Sequence, residues 1–346
     1  MPAALDEPGP VGIAGCLGLG GPIGIGRRLG LGGPVGLAVA RRELIGDLAV
    51  RLFAWRDEGG TRRLGALDGE SVAPFEADDA AWEVTAAVAG DAIRGGERLA
   101  VAALRPAPAV VPAKTVCIGL NYRDHLEEQH LPMPDRPTIF GKWPNAVVAS
   151  GEPVVRPDGC HALDTEVELG VVIGRRARRV ERANAMDYVA GYVVANDVTA
   201  RDWQGNKGAL HPGARGDGQW LRAKGSDTFL PIGSVFVSKD EIADPVNLRL
   251  RTWWTRGAGP DAGRAVLMQD GATADMLFDI PTAIEFVSRV ITLEPGDLLA
   301  TGTPSGVGVF RDPPVFLEPG DRVRCEIEGI GSVENPILEW SDDRRA

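Results

Sequence analysis

Cysteine is scarce and scattered: Cys16, Cys117, Cys160 and Cys325 are the only four in 346 residues, and none forms a C-x-x-C pair. Neither a zinc site nor a disulfide framework is indicated, and a reducing compartment fits. Long apolar runs are missing too, because Gly, Pro or charge cuts every hydrophobic stretch before the roughly 20 residues that a spanning helix needs. Basic residues are in deficit. The 37 Lys and Arg face 48 Asp and Glu, a net charge of −11, which repels polyanions and offers no footprint to nucleic acid or anionic lipid. The composition predicts a soluble, cytoplasmic protein with no nucleic-acid or membrane partner, long enough to bury a substantial core.

Residues 1–45 stand apart. GPVGIAGCLGLG, GPIGIGRRLGLG and GPVGLAVARREL are three successive twelve-residue copies starting at Gly9, Gly21 and Gly33. So much glycine raises the entropy of ordering, and a disordered low-complexity tail is expected. Asp6 and Glu7 precede the glycines, which does not suit a signal peptide. A small β-rich N-terminal domain is expected over residues 46–110, where AVRLFAW alternates and TRRLGALDGESV holds an Asp-Gly turn. The Pro-rich RPAPAVVPAK reads as a linker, and the main domain is expected over 111–340.

That domain is strand-rich. VNLRLRTWW and DRVRCEIEGIG alternate, whereas ELGVVIG and GYVVAN are unbroken apolar runs suited to fully buried strands. A helix is expected from Pro281, with Ile284, Val287, Val290 and Ile291 on one face. The fold class is therefore α+β, β-dominant.

In DTEVELGVVIG a strand would project Glu166 and Glu168 from one face while Val167 and Leu169 pack on the other. Two such carboxylates beside buried residues call for a cation or a proton between them. A solvated acidic face is the alternative. A third acid, Asp197, ends GYVVAND and would emerge beside them. Three hard oxygen donors suit Mg²⁺ or Mn²⁺, with Ca²⁺ also open, and no His or Cys accompanies them at zinc spacing. In IGLNYRDHLEEQ a helix would place His125 and Glu128 on one face, where a carboxylate-held imidazole makes a general base; an exposed, idle His on a solvated helix is the alternative. AKGSDTFLPIG holds Lys224 in a stretch too rich in Gly and Pro for a helix. LATGTPSGVGVF lets backbone approach a ligand but lacks the ending of a phosphate loop.

Five motifs in this order, GLNYRDHLEE, FGKWPNAV, DTEVELGVVIG, NDVTARDWQ with KGSDTF, and TGTPSGVG, resemble the fumarylacetoacetate hydrolase family over about residues 115–337. The resemblance implies a mixed β-roll or barrel catalytic domain preceded by a small β-rich module, assembled as a homodimer. It implies Glu166, Glu168 and Asp197 as metal ligands, His125 and Glu128 as the water-activating dyad, and Lys224 beside the metal. Arg201, Gln204, Lys142 and Thr303 match substrate-contact positions, and the segment from Asp124 to about Arg136 resembles the family's mobile lid. Fumarylacetoacetase has a further carboxylate upstream of its His, whereas VCIGLNY is neutral here, so the chain resembles the three-carboxylate bacterial-type branch that includes 2-hydroxyhepta-2,4-diene-1,7-dioate isomerase and acylpyruvate hydrolases. The expected activity is metal-dependent hydrolysis of a carbon-carbon bond in an acylpyruvate-like or diketo acid. Isomerase, hydratase, decarboxylase or tautomerase activity on a 2-oxo acid of aromatic or sugar-acid catabolism is the alternative, and a non-catalytic binding protein on the same scaffold is a second.

Overall fold

The computed structural model of the chain describes residues 50–75, 98–205, 218–242 and 244–341. The glycine-rich tail expected over residues 1–45 lies outside them, as does Cys16. Strands β1 (Arg51–Arg56), β2 (Arg62–Asp68) and β3 (Ser71–Pro74) are paired antiparallel, and β2 turns into β3 at Asp68-Gly69 as the sequence suggests. There follow β4 (Thr115–Gly119), α1 (Arg123–Glu128), β5 (Thr138–Lys142), β6 (Val167–Ile173) and β7 (Val189–Asn196). Two short helices, α2 (Arg201–Gln204) and α3 (Trp220–Lys224), lead to β8 (Val235–Ser238). The chain then forms the hairpin β9 (Arg249–Thr255) and β10 (Ala265–Ala272), helix α4 (Ile280–Ser288), β11 (Leu298–Ala300), and a last hairpin of β12 (Arg322–Ile327) and β13 (Gly331–Glu339).

Two open sheets, not a closed barrel, carry the fold. One runs β3-β2-β1-β8-β7-β6-β11-β4-β5, with Leu99–Ala100 outside β3; the other runs β10-β9-β12-β13, with Val154–Arg156 beside β13. All seven residues of β6 are buried, which is why its sequence is apolar except at Glu168 and Gly170. Fully burying a Val, Leu or Ile contributes about 1.5–3 kcal/mol, so this centre of the sheet can carry the unfavourable burial of a few carboxylates. The Pro-rich stretch packs against the sheet: Arg105–Pro106 pairs with β1, and the N–H groups of Ala107 and Ala109 donate to Ala54 and Gly233 carbonyls at 3.0 and 2.9 Å.

Two local expectations are corrected. Helix α4, capped by Asp279 accepting from the Thr282 N–H at 2.9 Å, stops at Ser288, and Val290 is 70% exposed instead of sharing the face of Ile284 and Val287. Lys224 is the last residue of a helix: the breakers begin only after it, and Gly225 ends α3 by donating to Leu221 O at 2.8 Å. Among the described residues no helix is long and apolar enough to cross a membrane.

Candidate active site

The topology gathers four chain segments at one end of the large sheet. β4 and β11 are parallel neighbours, so the GLNYRDH segment and the TGTPSG loop leave the sheet together. β6 is antiparallel to both β11 and β7, which sets its start beside the end of β7. Glu168 pairs with Ala195, Val167 with Asn196, and one step on Asp197 N–H donates to Glu166 O at 2.9 Å. Carboxylate oxygens of Glu166, Glu168 and Asp197 thus all lie within 4.8 Å of one another. The three residues are 5%, 2% and 0% exposed, which excludes the alternative of a solvated acidic face.

Cations surround two of the three acids. The Lys224 ammonium bridges Glu166 and Asp197 at 2.7 and 2.8 Å, and Lys142, also buried, donates to Asp197 and to Val198 O. Arg201 pairs with Glu166 at 2.6 Å and donates to Asp164 at 2.9 Å and to the Gln204 side-chain oxygen at 3.0 Å. Burial alone would raise the pKa of Glu166, but the charges of Lys224, Arg201 and His125 outweigh it and hold the carboxyl well below the usual range. Glu168 differs. It accepts the Gly302 N–H at 3.0 Å and has no ion-pair partner among the described residues, so burial, then the charges of Asp197 and Glu166, push its pKa well above the usual carboxylate value. An all-oxygen donor set with one uncompensated acid could hold a hard divalent cation, which would supply the missing positive charge.

Helix α1 presents the other half of the site. His125 Nδ1 lies 2.5 Å from Glu128 Oε1, the contact that the three-residue spacing predicts. The helix is also tied to the glycine loop: Ser305 N–H donates to Asp124 at 3.0 Å, and Gly306 N–H to the second Glu128 oxygen at 2.9 Å. His125 is buried and sits edge-on to Phe310, with ring centroids 6.0 Å apart.

Arg201 and Lys224 meet at the acids, and Gln204 reaches them only through Arg201. Lys142, matched to a substrate contact, lies wholly buried with its ammonium on Asp197, while the Thr303 hydroxyl accepts from Gln269 at 2.8 Å. Sequence reasoning missed Asp164. Its carboxylate accepts Arg201 Nε together with the N–H groups of Gly308 and Val309 at 2.9 and 3.1 Å, so it joins the anion-facing arginine to the far end of the glycine loop. Its place two residues before Glu166 was the available signal. Gln269 was missed too, and nothing in its local sequence marks it.

Residues 114–338 match the family described as fumarylacetoacetate (FAA) hydrolase C-terminal. Over 232 residues the chain is 44% identical to a mitochondrial oxaloacetate tautomerase of Xenopus laevis, covering 67% of each protein. It is similarly 44% identical over 232 residues to a mitochondrial oxaloacetate tautomerase of Homo sapiens, covering 67% of this chain and 68% of that one. Both names specify a compartment other than the cytoplasmic one that the composition suggests. Among solved structures, the fumarylacetoacetate hydrolase of Exiguobacterium antarcticum is 30% identical, with a TM-score of 0.68 over 84% of this chain and 100% of that one. The 2-hydroxyhepta-2,4-diene-1,7-dioate isomerase of Mycobacterium marinum is 31% identical, with a TM-score of 0.64 over 85% and 100%. With the site geometry and the family match in agreement, the chain belongs to the fumarylacetoacetate hydrolase family and is an enzyme of that superfamily.

Proposed function

We propose that the enzyme is a divalent-metal-dependent tautomerase of a small 2-oxo diacid, moving a proton between carbon and oxygen to interconvert keto and enol forms, with oxaloacetate as the first substrate to test. The observation that carries this reading is that one glycine loop holds both halves of the site, its Gly302 N–H on Glu168 of the clustered acids and its Gly306 N–H on Glu128, which engages His125. Bound Mg²⁺ or Mn²⁺, held by Glu166, Glu168 and Asp197, would supply a Lewis acid that acidifies the carbon beside the 2-oxo group and stabilises enolate charge.

The chain's own groups do the rest. Glu128 engages His125 Nδ1, which leaves Nε2 to take and return the proton. Asp164, Glu166, Glu168 and Asp197 face Arg201, Lys142 and Lys224, an excess of one negative charge when all are ionised. A dication held by these acids would reverse that sign, which suits an anionic substrate whose carboxylates Lys224 and Arg201 could bind. The names of the 44%-identical tautomerases support this choice of reaction.

The test follows decay of the oxaloacetate enol absorbance, and deuterium uptake at C3 by NMR, with Mg²⁺ and with a chelator. Metal-dependent acceleration of both is expected; rates equal to buffer with either metal would sink the reading. Hydrolysis of an acylpyruvate is the second reading, favoured by a His-Glu pair able to activate water and by the likeness to the bacterial fumarylacetoacetate hydrolase. Pyruvate release from an acylpyruvate separates the two.

A further inference from the structure

We infer that Gln269 is a positioning residue that locks the TGTPSG loop to the acidic strand and, through that loop, sets the helix carrying His125. Gln269 is wholly buried on β10, beside a β-bulge: Thr252 pairs with Gln269 but the next residue, Trp253, pairs with Leu267, leaving Met268 as the extra residue. The bulge presents a side chain and a carbonyl to the same loop. Gln269 Nε2 donates to Thr303 Oγ1 and to Pro304 O, both at 2.8 Å, while Oε1 accepts from Val167 N–H at 3.1 Å and Thr252 O–H at 2.8 Å. The Met268 carbonyl accepts from Arg311, whose guanidinium also donates to Gly306 O at 3.3 Å.

All four hydrogen-bonding capacities of the Gln269 amide are used, and its orientation is forced by one backbone donor and one backbone acceptor. Val167 is the residue between Glu166 and Glu168. Ser305 and Gly306, immediately beyond Pro304, are the residues that hold Asp124 and Glu128. A chain of direct bonds therefore runs from the acids through Gln269 to the dyad. Because Thr303 accepts from Gln269, its own hydroxyl hydrogen remains free for another acceptor, and the amide thereby orients that donor. A buried amide is unfavourable without such partners, and a core that needed only volume would be served by an apolar side chain.

The kinetic arm of the test rests on the proposed tautomerase reading; two other readouts do not. Gln269→Met keeps length and removes all four bonds, and Thr303→Val removes only the bond to the Thr303 hydroxyl, leaving the one to Pro304 O. Hydrogen exchange at the Ser305 and Gly306 amides is expected to quicken at least tenfold in both variants, and Thr303→Ser, which keeps the acceptor, is expected to restore it. Gln269→Met should weaken Mn²⁺ binding by calorimetry and lower kcat/KM by roughly 10- to 100-fold, the range for removing a group that orients metal ligands. Thr303→Val should leave Mn²⁺ affinity within about twofold of the wild type, since the bond to Val167 survives. Unchanged amide exchange in both variants overturns the inference, as does faster exchange with unaltered Mn²⁺ affinity in Gln269→Met. If Gln269→Met fails to fold, the Thr303→Val and Thr303→Ser pair decides by exchange alone. Wild-type protein inactive on oxaloacetate would count against the proposed function while leaving the exchange and calorimetric readouts in force.

Discussion

Glu128 serves two partners at once, meeting His125 Nδ1 with one oxygen at 2.5 Å and taking the Gly306 N–H on the other at 2.9 Å. The carboxylate that orients the imidazole is thus itself oriented by the glycine loop. A base held this way has one ring nitrogen committed and one available, which is the arrangement proton transfer requires.

Replacing His125 by Ala should lower turnover by about 10²- to 10⁴-fold, the usual contribution of a positioned base. Metal binding should persist, because His125 is not among the clustered acids. Steady-state kinetics beside calorimetry checks both, and undiminished turnover would remove His125 from the mechanism.

Glu168→Gln retains shape and the capacity to accept from Gly302 N–H but loses the charge that no cation among the described residues balances. Mg²⁺ binding and activity should vanish together. Calorimetry showing wild-type affinity in this variant would refute the assignment of Glu168 as a ligand.

The raised pKa of Glu168 fixes the sign of a pH dependence. A metal needs the ionised carboxylate, so Mg²⁺ affinity should climb as pH rises through that raised value. In metal-free protein the native state holds this proton more tightly than the unfolded chain does. The resulting stability is fully present below the ordinary value of 4.5 and is lost as pH rises through the folded value. Glu166 acts oppositely and in a separate window, its contribution being lost as pH falls from 4.5 through its depressed value. Melting curves with chelator should therefore show a declining midpoint above 4.5 for the Glu168 contribution, and Glu168→Gln should flatten that decline. An unaltered pH profile in the variant would contradict the account.

Lys142→Met removes a wholly buried cation from Asp197. Breaking a buried pair from one side costs about 3–5 kcal/mol, and a dication beside Asp197 would offset part of that loss. The midpoint gained on adding Mg²⁺ should accordingly be larger in the variant than in the wild type. Equal gains in the two proteins would mean that Lys142 and the metal do not share Asp197.

Gly306 has φ +99°, and a Cβ built there would overlap the Met268 carbonyl oxygen. Gly306→Ala should cost about 1–3 kcal/mol, the range for backbone held in a sparsely populated region, and should lower turnover through Glu128. A variant with wild-type melting and kinetics would show that the loop yields freely.

Much of the site was legible because local periodicities encode it. The two-residue period of β6 aligned Glu166 with Glu168, the last residue of an apolar run marked Asp197, and a three-residue helical spacing joined His125 to Glu128. Gln269 was illegible, and Asp164 showed only its two-residue spacing from Glu166, because their partners, Gly308, Val309, Thr303 and Val167, are distant in sequence and are mostly main-chain groups. Lys224 ends a helix and not a loop because glycine and proline break the chain only C-terminal to it and leave the preceding turn intact. Val290 was placed on a helical face for the opposite reason: nothing local announced that α4 would end at Ser288.

Parallel pairing of Thr115 with Leu298 sets the order in which this enzyme can come into being. The strand that precedes the imidazole helix pairs locally with β5, but its link to the acidic strand through β11 forms only when residues near 300 have been synthesised, and such long loop closures are slow steps in folding. A nascent chain halted before β11 could pair β6 with β7 and gather the three acids, yet would lack the strand that sets the imidazole helix beside them. Catalytic competence should arise late and all at once, as a property of the nearly finished polypeptide.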